Sequence, residues 1–202
     1  MSKRTLIYSV IAWCFFKLIE YYFIPYFIVT LLWLGLSLAL LIVTIIQTVK
    51  VVRERKSLTK LRVAKALTFL TLFYFTYNHW LVSGLIEKVD WRIFYNKRVE
   101  IVEQVKSKRL NPNVSWNRIV CELPFEFPVI SNGGNDIMIF RNKDNDAITV
   151  SFWVYRNFFS APSTSFVYTN DIDEIKEIES KIAQDPKNNW KISDNWYRTF
   201  GE

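Results

Sequence analysis

The fold is decided by residues 5–49, which read TLIYSVIAWCFFKLIEYYFIPYFIVTLLWLGLSLALLIVTIIQTV. As one helix this segment would be ~68 Å long at ~1.5 Å per residue, about twice the ~30 Å hydrocarbon core of a bilayer. The chain must therefore fold back. Pro25 is the natural break, because a proline inside a helix removes a backbone donor and clashes with the preceding turn. The segment predicts two membrane-spanning helices, at about residues 5–24 and 27–49.

A third apolar stretch covers residues 66–86, where the only titratable side chains are His79, Tyr74 and Tyr77. This stretch predicts a third span, and residues 1–88 are therefore assigned to the transmembrane region. The first span follows a basic amino terminus, as a signal peptide does. However, no small-residue cleavage pattern precedes Lys17, so the span is predicted to be retained.

Charge is unevenly distributed along the chain. Residues 1–86 hold ten Lys and Arg and two Asp and Glu, whereas residues 87–202 hold sixteen and seventeen. The net charge of +7 therefore comes from the amino-terminal part. A nucleic-acid-binding domain carries its own basic surface, so this distribution excludes nucleic acid as a partner of the carboxyl-terminal half.

The orientation follows from the loop at residues 50–65, which has seven cations and a single acid, Glu54. Lys and Arg resist translocation, so the loop and the amino terminus are expected in the cytoplasm of a bacterial cell, against the anionic lipid of the inner membrane. Three spans would place residues 89–202 outside, in the periplasm or the extracellular space. Two spans would leave them in the cytoplasm.

Residues 89–202 predict a small α+β domain, with a mostly antiparallel sheet and two helices. The helical periodicity covers Asp90–Leu110 and, more clearly, Asp171–Ala183, where Ile172, Ile175 and Ile178 begin an apolar face that Ile182 completes. The predicted strands cover residues 119–123, 137–141, 147–155, 165–168, 190–192 and 196–200. Ser131-Asn132-Gly133-Gly134-Asn135 predicts a turn.

Four polar side chains within the predicted spans are candidate functional residues. Lys17 and Glu20 are three residues apart, so they share a helix face and can form an ion pair. Charged groups at membrane depth are costly, and the alternative is a role in assembly or transport. Asn78 and His79 predict hydrogen bonding between helices, since zinc needs three or four ligands and none accompanies this histidine.

Aromatic side chains are more numerous in the predicted domain than one small sheet face can bury; they include Phe152, Trp153, Tyr155, Phe158, Phe159, Phe166, Tyr168, Trp190, Trp196 and Tyr197. Two alternatives are open: an ordinary core with a membrane-facing belt, or a recognition surface, since exposed aromatic surface often marks a binding site. Trp190, Trp196 and Tyr197 lie on a predicted terminal hairpin, where few neighbours would cover them, so at least one of the three rings is expected to be exposed. These three residues are the candidate contacts for a protein partner.

The predicted domain lacks the side chains and motifs on which typical enzymes depend. It has no histidine and no GxSxG motif, so the usual base for nucleophilic catalysis is absent. No metal or cofactor is predicted. Cys14 and Cys121 fall in different compartments under the three-span topology, which excludes a disulfide between them.

The carboxyl-terminal motifs are LPFEF (123–127), SNGGNDIMIF (131–140), FWVYR (152–156), SFVYTND (165–171) and, after Trp190, NWYR (195–198). Together they resemble the carboxyl-terminal domain of a loose family of bacterial proteins that are often attached to membranes. The resemblance covers about residues 95–200 and brings no catalytic residues. It implies a bacterial origin and a non-enzymatic domain.

The layout is typical of three kinds of protein. The first is an inner-membrane protein that displays a recognition domain, such as an immunity protein that binds a toxin in the envelope. The second is a membrane-acting defence effector with a cytoplasmic ligand-sensing domain. The third is an accessory subunit of a membrane complex, and the predicted spans could also mediate self-association.

Overall fold

The computed structural model describes residues 3–23, 25–156 and 162–201, so the predicted aromatic positions Phe158 and Phe159 lie outside the described residues. The chain divides into two compact units. The helical unit contains Met1–Tyr21 and Tyr26–Lys88. The α+β unit contains Tyr22–Pro25 and Val89–Glu202.

Three helices form most of the helical unit: α1 (Lys3–Phe23), α2 (Phe27–Arg53) and α3 (Lys60–Tyr77). The first two are separated around Pro25, as the sequence predicts. Buried side chains of α2 and α3 pack together in this unit, and Trp13 of α1 packs against them. Its core residues are Leu40, Phe69 and Leu72.

Among the helices that the structure describes, α1 and α2 are long and apolar enough to cross a membrane. Residues 66–86 do not form one such helix, so the prediction of a third spanning helix there is wrong. Asn78 interrupts the stretch, because its backbone, at φ −90° and ψ 56°, leaves the helical conformation and ends α3. The first six residues of α3 also include Lys60, Arg62 and Lys65. The remaining apolar stretch is ~18 Å long at ~1.5 Å per residue, shorter than the ~30 Å core of a bilayer.

The fourth helix, α4, covers His79–Lys106 and begins eleven residues before the predicted Asp90. Its residues up to Lys88 belong to the helical unit, and those from Val89 on belong to the α+β unit. The helix ends before the predicted Leu110, at a turn in which Lys108 adopts a positive φ of 60°.

The α+β unit contains a six-stranded antiparallel sheet in the order β1-β2-β3-β4-β6-β5. The predicted fold class is confirmed. The strands are β1 (Val120–Glu122), β2 (Asp136–Arg141), β3 (Ile148–Tyr155), β4 (Thr164–Thr169), β5 (Trp190–Ser193) and β6 (Trp196–Phe200). The last strand pairs with β4 as well as β5, so β6 is an interior strand of the sheet.

Each face of the sheet carries one helix. On the first face, Trp91 of α4 contacts Phe166 of β4 and Trp196 of β6. On the opposite face, Val167 and Tyr197 pack against Ile178 of helix α5 (Ile172–Gln184). The predicted helix over 171–183 is confirmed, and the Asp171 side chain caps it by accepting from the backbone N–H of Asp173. Ile172 alone of the predicted apolar face is exposed, at the first helical position, while Ile175, Ile178 and Ile182 pack on the sheet.

Candidate functional site

Trp196 lies in the core of the α+β unit. Its ring is 3% exposed and is surrounded by aromatic rings, with centroids at 5.2 Å for Trp91, 5.4 Å for Tyr168 and 5.8 Å for Phe152. The rings of Trp91 and Tyr168 meet it edge-on, which is a favourable geometry for aromatic pairs. The predicted role of Trp196 as an exposed partner contact is therefore wrong, because β6 has neighbours on both sides.

The other two predicted partner contacts differ from each other. Tyr197 is 2% exposed and belongs to the core cluster under α5, so it cannot present its ring to a partner either. Trp190 on the edge strand β5 is exposed. The Arg198 guanidinium lies 4.5 Å from its ring centroid, in a cation–π contact. Trp190 is therefore the one residue of the predicted trio that remains available to a partner.

A buried ion pair of α4 is the polar centre of the α+β unit, and the sequence analysis did not find it. An Arg98 nitrogen lies 2.5 Å from a carboxylate oxygen of Asp90, and both side chains are almost fully buried. The guanidinium also donates from Nε and Nη2 to the backbone carbonyl of Ile130, at 3.1 and 2.9 Å. The spacing of eight residues on a helix was the available signal, since both side chains then lie on one face.

The environment of this pair is largely apolar. The Arg98 guanidinium lies 4.9 Å from the ring centroid of Phe166 and 5.8 Å from that of Trp91. Burial raises the pKa of the Asp90 carboxyl, and this effect is opposed by the charge of Arg98. Such a pair fixes the position of α4 against the loop at Ile130 and leaves no room for substrate between the charges.

The turn between the two apolar helices is also part of the α+β unit. The Tyr22 hydroxyl donates to Asp90 at 2.9 Å, and the Tyr22 carbonyl accepts from the backbone N–H of Gly133 at 3.1 Å. Gly133 has φ 87° and its Cα faces Pro25 closely enough that an added Cβ would lie 3.0 Å from Pro25 Cγ. A residue with a side chain would therefore be strained at this position in two ways.

The loop that contains Gly133 is a structural turn, as the sequence predicts. Asn135, at φ 60°, accepts from the backbone N–H groups of Ile130 and Ser131. Its side-chain amide nitrogen donates to backbone carbonyls of the preceding segment, those of Phe125, Glu126 and Pro128. These bonds hold the loop at the position where it meets Tyr22.

The predicted pairing of Lys17 with Glu20 is confirmed. The Lys17 ammonium lies 2.5 Å from a Glu20 carboxylate oxygen, and both side chains are buried. Pairing offsets much of the free-energy cost of removing two charges from water. The contact therefore fits a structural ion pair, the first of the two roles considered for these residues.

Asn78 and His79 lie at the junction of α3 and α4. The Asn78 amide donates to the Tyr74 carbonyl of its own helix, and His79 is exposed. The predicted bond between helices is instead made next to them, where Trp13 Nε1 of α1 donates to Thr76 Oγ1 of α3 at 2.7 Å.

The two most exposed aromatic side chains among the described residues of the α+β unit lie outside the predicted site. Trp116 and Phe127, which sit in the loops on either side of β1, are both largely solvent-accessible. Large apolar side chains with this exposure are unfavourable in water and are enriched among residues that anchor protein interfaces. No periodic pattern marks them in the sequence, because neither lies on a helix or a strand.

Cys121 on β1 should resist alkylation in the folded protein. Burial raises the pKa of its thiol to about 11, so almost no thiolate forms at pH 8, and the side chain is inaccessible. We expect iodoacetamide to modify it only after urea is added, measured by mass spectrometry of the full chain carrying Cys14→Ser. Rapid modification at pH 8 without urea would contradict this burial.

Within the described ranges, no group of three His, Cys, Asp or Glu side chains lies close enough to hold a metal ion. Comparisons with known protein families, with curated proteins and with solved structures find no match. The resemblance to a loose bacterial family therefore stays a prediction, and function has to be argued from the geometry.

Proposed function

We propose that this chain is a non-enzymatic bacterial inner-membrane protein in which α1 and α2 cross the membrane and the α+β unit recognises a protein partner. The immunity-type function, binding a toxin in the envelope, fits this layout best. The observation that carries the proposal is the Tyr22–Pro25 turn. It joins the two apolar helices, yet it is bonded to Asp90 and Gly133 of the α+β unit.

The attachment of this turn constrains the side of the membrane on which the α+β unit lies. If α1 and α2 both cross the membrane, the turn between them lies at the face opposite the amino terminus and the basic loop at residues 50–65. The α+β unit contains that turn and so lies at the same face. The charge bias keeps the basic loop in the cytoplasm, which argues for an α+β unit outside it.

The placement also requires the chain to return across the membrane between the basic loop and Val89. The residues available are α3 and the first part of α4, joined at Asn78. They form no single apolar helix of spanning length. A broken helix is tolerated at membrane depth where other protein segments cover it, and Leu72 of α3 is buried against α1 and α2 residues.

The recognition role is supported by the exposed aromatic side chains of the α+β unit. Trp190, Trp116 and Phe127 are all accessible in this structure. Tryptophan and its aromatic relatives often dominate binding energy at the centre of protein interfaces. Trp190 is also held in place by Arg198, so less conformational entropy is lost when a partner binds.

The topology can be tested with reporter fusions. We expect alkaline phosphatase fused after the carboxyl terminus to be active and green fluorescent protein at the same place to be dark. The matched control carries each reporter after Ser57 in the basic loop, where the pattern should reverse. A fluorescent, phosphatase-negative carboxyl terminus would overturn the proposed location.

That reversed outcome would favour the second candidate, a membrane-acting effector with a cytoplasmic ligand-sensing domain. One observation supports it: only α1 and α2, of the described helices, have the length and composition of a membrane span. An even number of spans returns the chain to the side of its amino terminus. The two candidates therefore differ in a single measurable property, the side of the membrane that holds residues 89–202.

A further inference from the structure

One end of the sheet in the α+β unit carries an apolar loop that is open to solvent. The loop covers residues 124–128, which read Pro-Phe-Glu-Phe-Pro. Phe127 is 72% exposed, both prolines are exposed, and Phe125 is half-buried. Apolar surface of this kind is unfavourable in water, so a partner that removes the loop from water would be bound favourably.

The 124–128 loop adjoins the Tyr22–Pro25 turn. The backbone N–H of Gly133 donates to the Tyr22 carbonyl at 3.1 Å. Asn135 lies two residues further along the chain, at most ~7.6 Å away between Cα atoms. Its side chain bonds carbonyls of the 124–128 loop. The loop and the turn between the two apolar helices therefore lie at the same end of the α+β unit.

The backbone of this loop is suited to surroundings that are poor in water. One side-chain amide, that of Asn135, donates to three of its carbonyls, those of Phe125, Glu126 and Pro128, at 3.2, 3.0 and 2.9 Å. Pro124 and Pro128 have no backbone N–H that would need a partner. Unpaired backbone groups make irregular loops costly in lipid, so these bonds lower the free-energy cost of moving the loop out of water.

Rings and cations typical of a membrane surface lie at this end of the unit. The Lys97 ammonium is 5.3 Å from the Phe125 ring centroid, and the Arg156 guanidinium is 5.4 Å from that of Trp153. The Trp153 carbonyl accepts from the backbone N–H of Asn132, in the adjacent turn. Aromatic rings and long cationic side chains are favoured at the level of lipid headgroups. Both cations also pair with a carboxylate at 2.8 Å, so contact with lipid would not require anionic headgroups.

The opposite end of the sheet has the reverse character. Strand β2 runs from Asp136, which pairs with Glu122 just before the loop, to Arg141. The two ends of this strand are ~17 Å apart at the usual rise per residue. The hairpin that follows is Asn142-Lys143-Asp144-Asn145-Asp146, which contains no apolar side chain. The contrast indicates that the aromatic end, and not the polar one, is the end suited to lipid.

We propose that the 124–128 loop inserts Phe127 into the interfacial layer of the bilayer that α1 and α2 cross, so that the aromatic end of the α+β unit rests on lipid. Glu126 limits the depth, because a carboxylate is costly in hydrocarbon and stays among the headgroups. The inference rests on the proposed function in one respect, that α1 and α2 cross a membrane. It goes beyond that function, since it assigns Phe127 to lipid and leaves Trp190 and Trp116 to a protein partner.

Photo-crosslinking of the full-length chain in phosphatidylcholine nanodiscs tests this contact. The photoreactive residue p-benzoylphenylalanine would replace Phe127, which keeps an aromatic ring at that position, and mass spectrometry would identify the adducts. We expect lipid adducts to be the main product at position 127.

The matched control places the same photoreactive residue at Ile172, which is 65% exposed. This position is at the polar end of the sheet, because the neighbouring Asp171 accepts from the Asn142 amide at 2.7 Å. An interfacial segment is buried by only ~5–10 Å, less than the ~17 Å between the two ends, so lipid adducts at position 172 should be at most about a tenth of those at position 127. Both side chains are exposed, so each variant should unfold at the wild-type temperature.

A second control distinguishes this inference from the proposed function. The photoreactive residue at Leu38, which is 59% exposed on α2, should form lipid adducts if α2 crosses the membrane. Absence of lipid adducts at position 38 would contradict the membrane-spanning function, and the inference with it. Lipid adducts at position 38 but none at position 127, equal yields at positions 127 and 172, or a protein adduct in place of lipid at position 127 in living cells would overturn the insertion alone.

Discussion

Replacing Arg98 by methionine should lower the free energy of unfolding of the α+β unit by about 3–5 kcal/mol, because Asp90 then stays buried without its partner. The substitution also removes the bonds from Nε and Nη2 to the Ile130 carbonyl. Urea unfolding of the full chain in detergent, followed by tryptophan fluorescence, measures the change. Lys97→Met is the control on the same helix: its ion pair with Glu100 is exposed, so the free energy of unfolding should stay close to the wild-type value.

The pH dependence of Arg98→Met gives a second readout. Without Arg98, the burial that raises the pKa of Asp90 is unopposed by its main charge partner. A group whose folded pKa lies above its unfolded value stabilises the fold at low pH, and that contribution is lost as pH rises. The variant should therefore recover stability as pH is lowered toward the ordinary carboxyl range. Adding Asp90→Asn should recover part of the loss at pH 7, since it removes the unpaired charge. A variant as stable as the wild type at pH 7 would contradict the structural role of the pair.

Trp196→Ala should destabilise the α+β unit by about 3–5 kcal/mol, as expected for truncating a large buried aromatic side chain. The substitution leaves a cavity among Trp91, Phe152 and Tyr168, whose rings all contact it. We expect the domain to become sensitive to limited proteolysis, and partner binding to be lost together with the fold.

Trp190→Ala is the matched control in the same hairpin. Its ring is exposed and contacts the Arg198 guanidinium, so the loss of stability should be about 0.5–1 kcal/mol. If Trp190 contacts the partner, this variant stays protease-resistant and loses binding. A Trp196→Ala variant with wild-type protease resistance would show that the ring is not part of the core.

The two hairpin tryptophans show the limit of sequence reasoning. Both lie on strands that the sequence predicts, and a terminal hairpin with few neighbours is expected to expose at least one ring, which is true of Trp190 and not of Trp196. Trp196 is buried because β6 pairs with β4, which places it between two strands. Strand order depends on pairing between residues far apart in sequence, and no local pattern records it.

The third predicted span failed for a different reason. Composition alone made residues 66–86 a continuous apolar stretch. The Asn78 side chain donates to the Tyr74 carbonyl of its own helix, and the Asn78 backbone, at ψ 56°, leaves the helical conformation, so α3 ends inside this stretch. Asparagine side chains favour such local bonds to the backbone over continuation of a helix. Asn78 was therefore a signal of a helix end in the sequence, but an average of hydropathy over the stretch does not detect it.

By itself, the sequence determined the elements whose cause is local. Apolar runs of spanning length gave α1 and α2, Pro25 separated them, and the spacing of isoleucines gave α5. Two-residue alternation and the turn at Gly133 determined the α+β class. These features follow from backbone geometry and side-chain periodicity, which act over a few residues.

Only the tertiary structure decided which side chains meet. It placed Arg98 beside Asp90 and Ile130, and it attached the Tyr22 turn to Gly133. Each of these contacts joins segments separated by many residues. They form because burying a polar group is unfavourable unless a partner meets it, and the partner is supplied by packing of the whole domain.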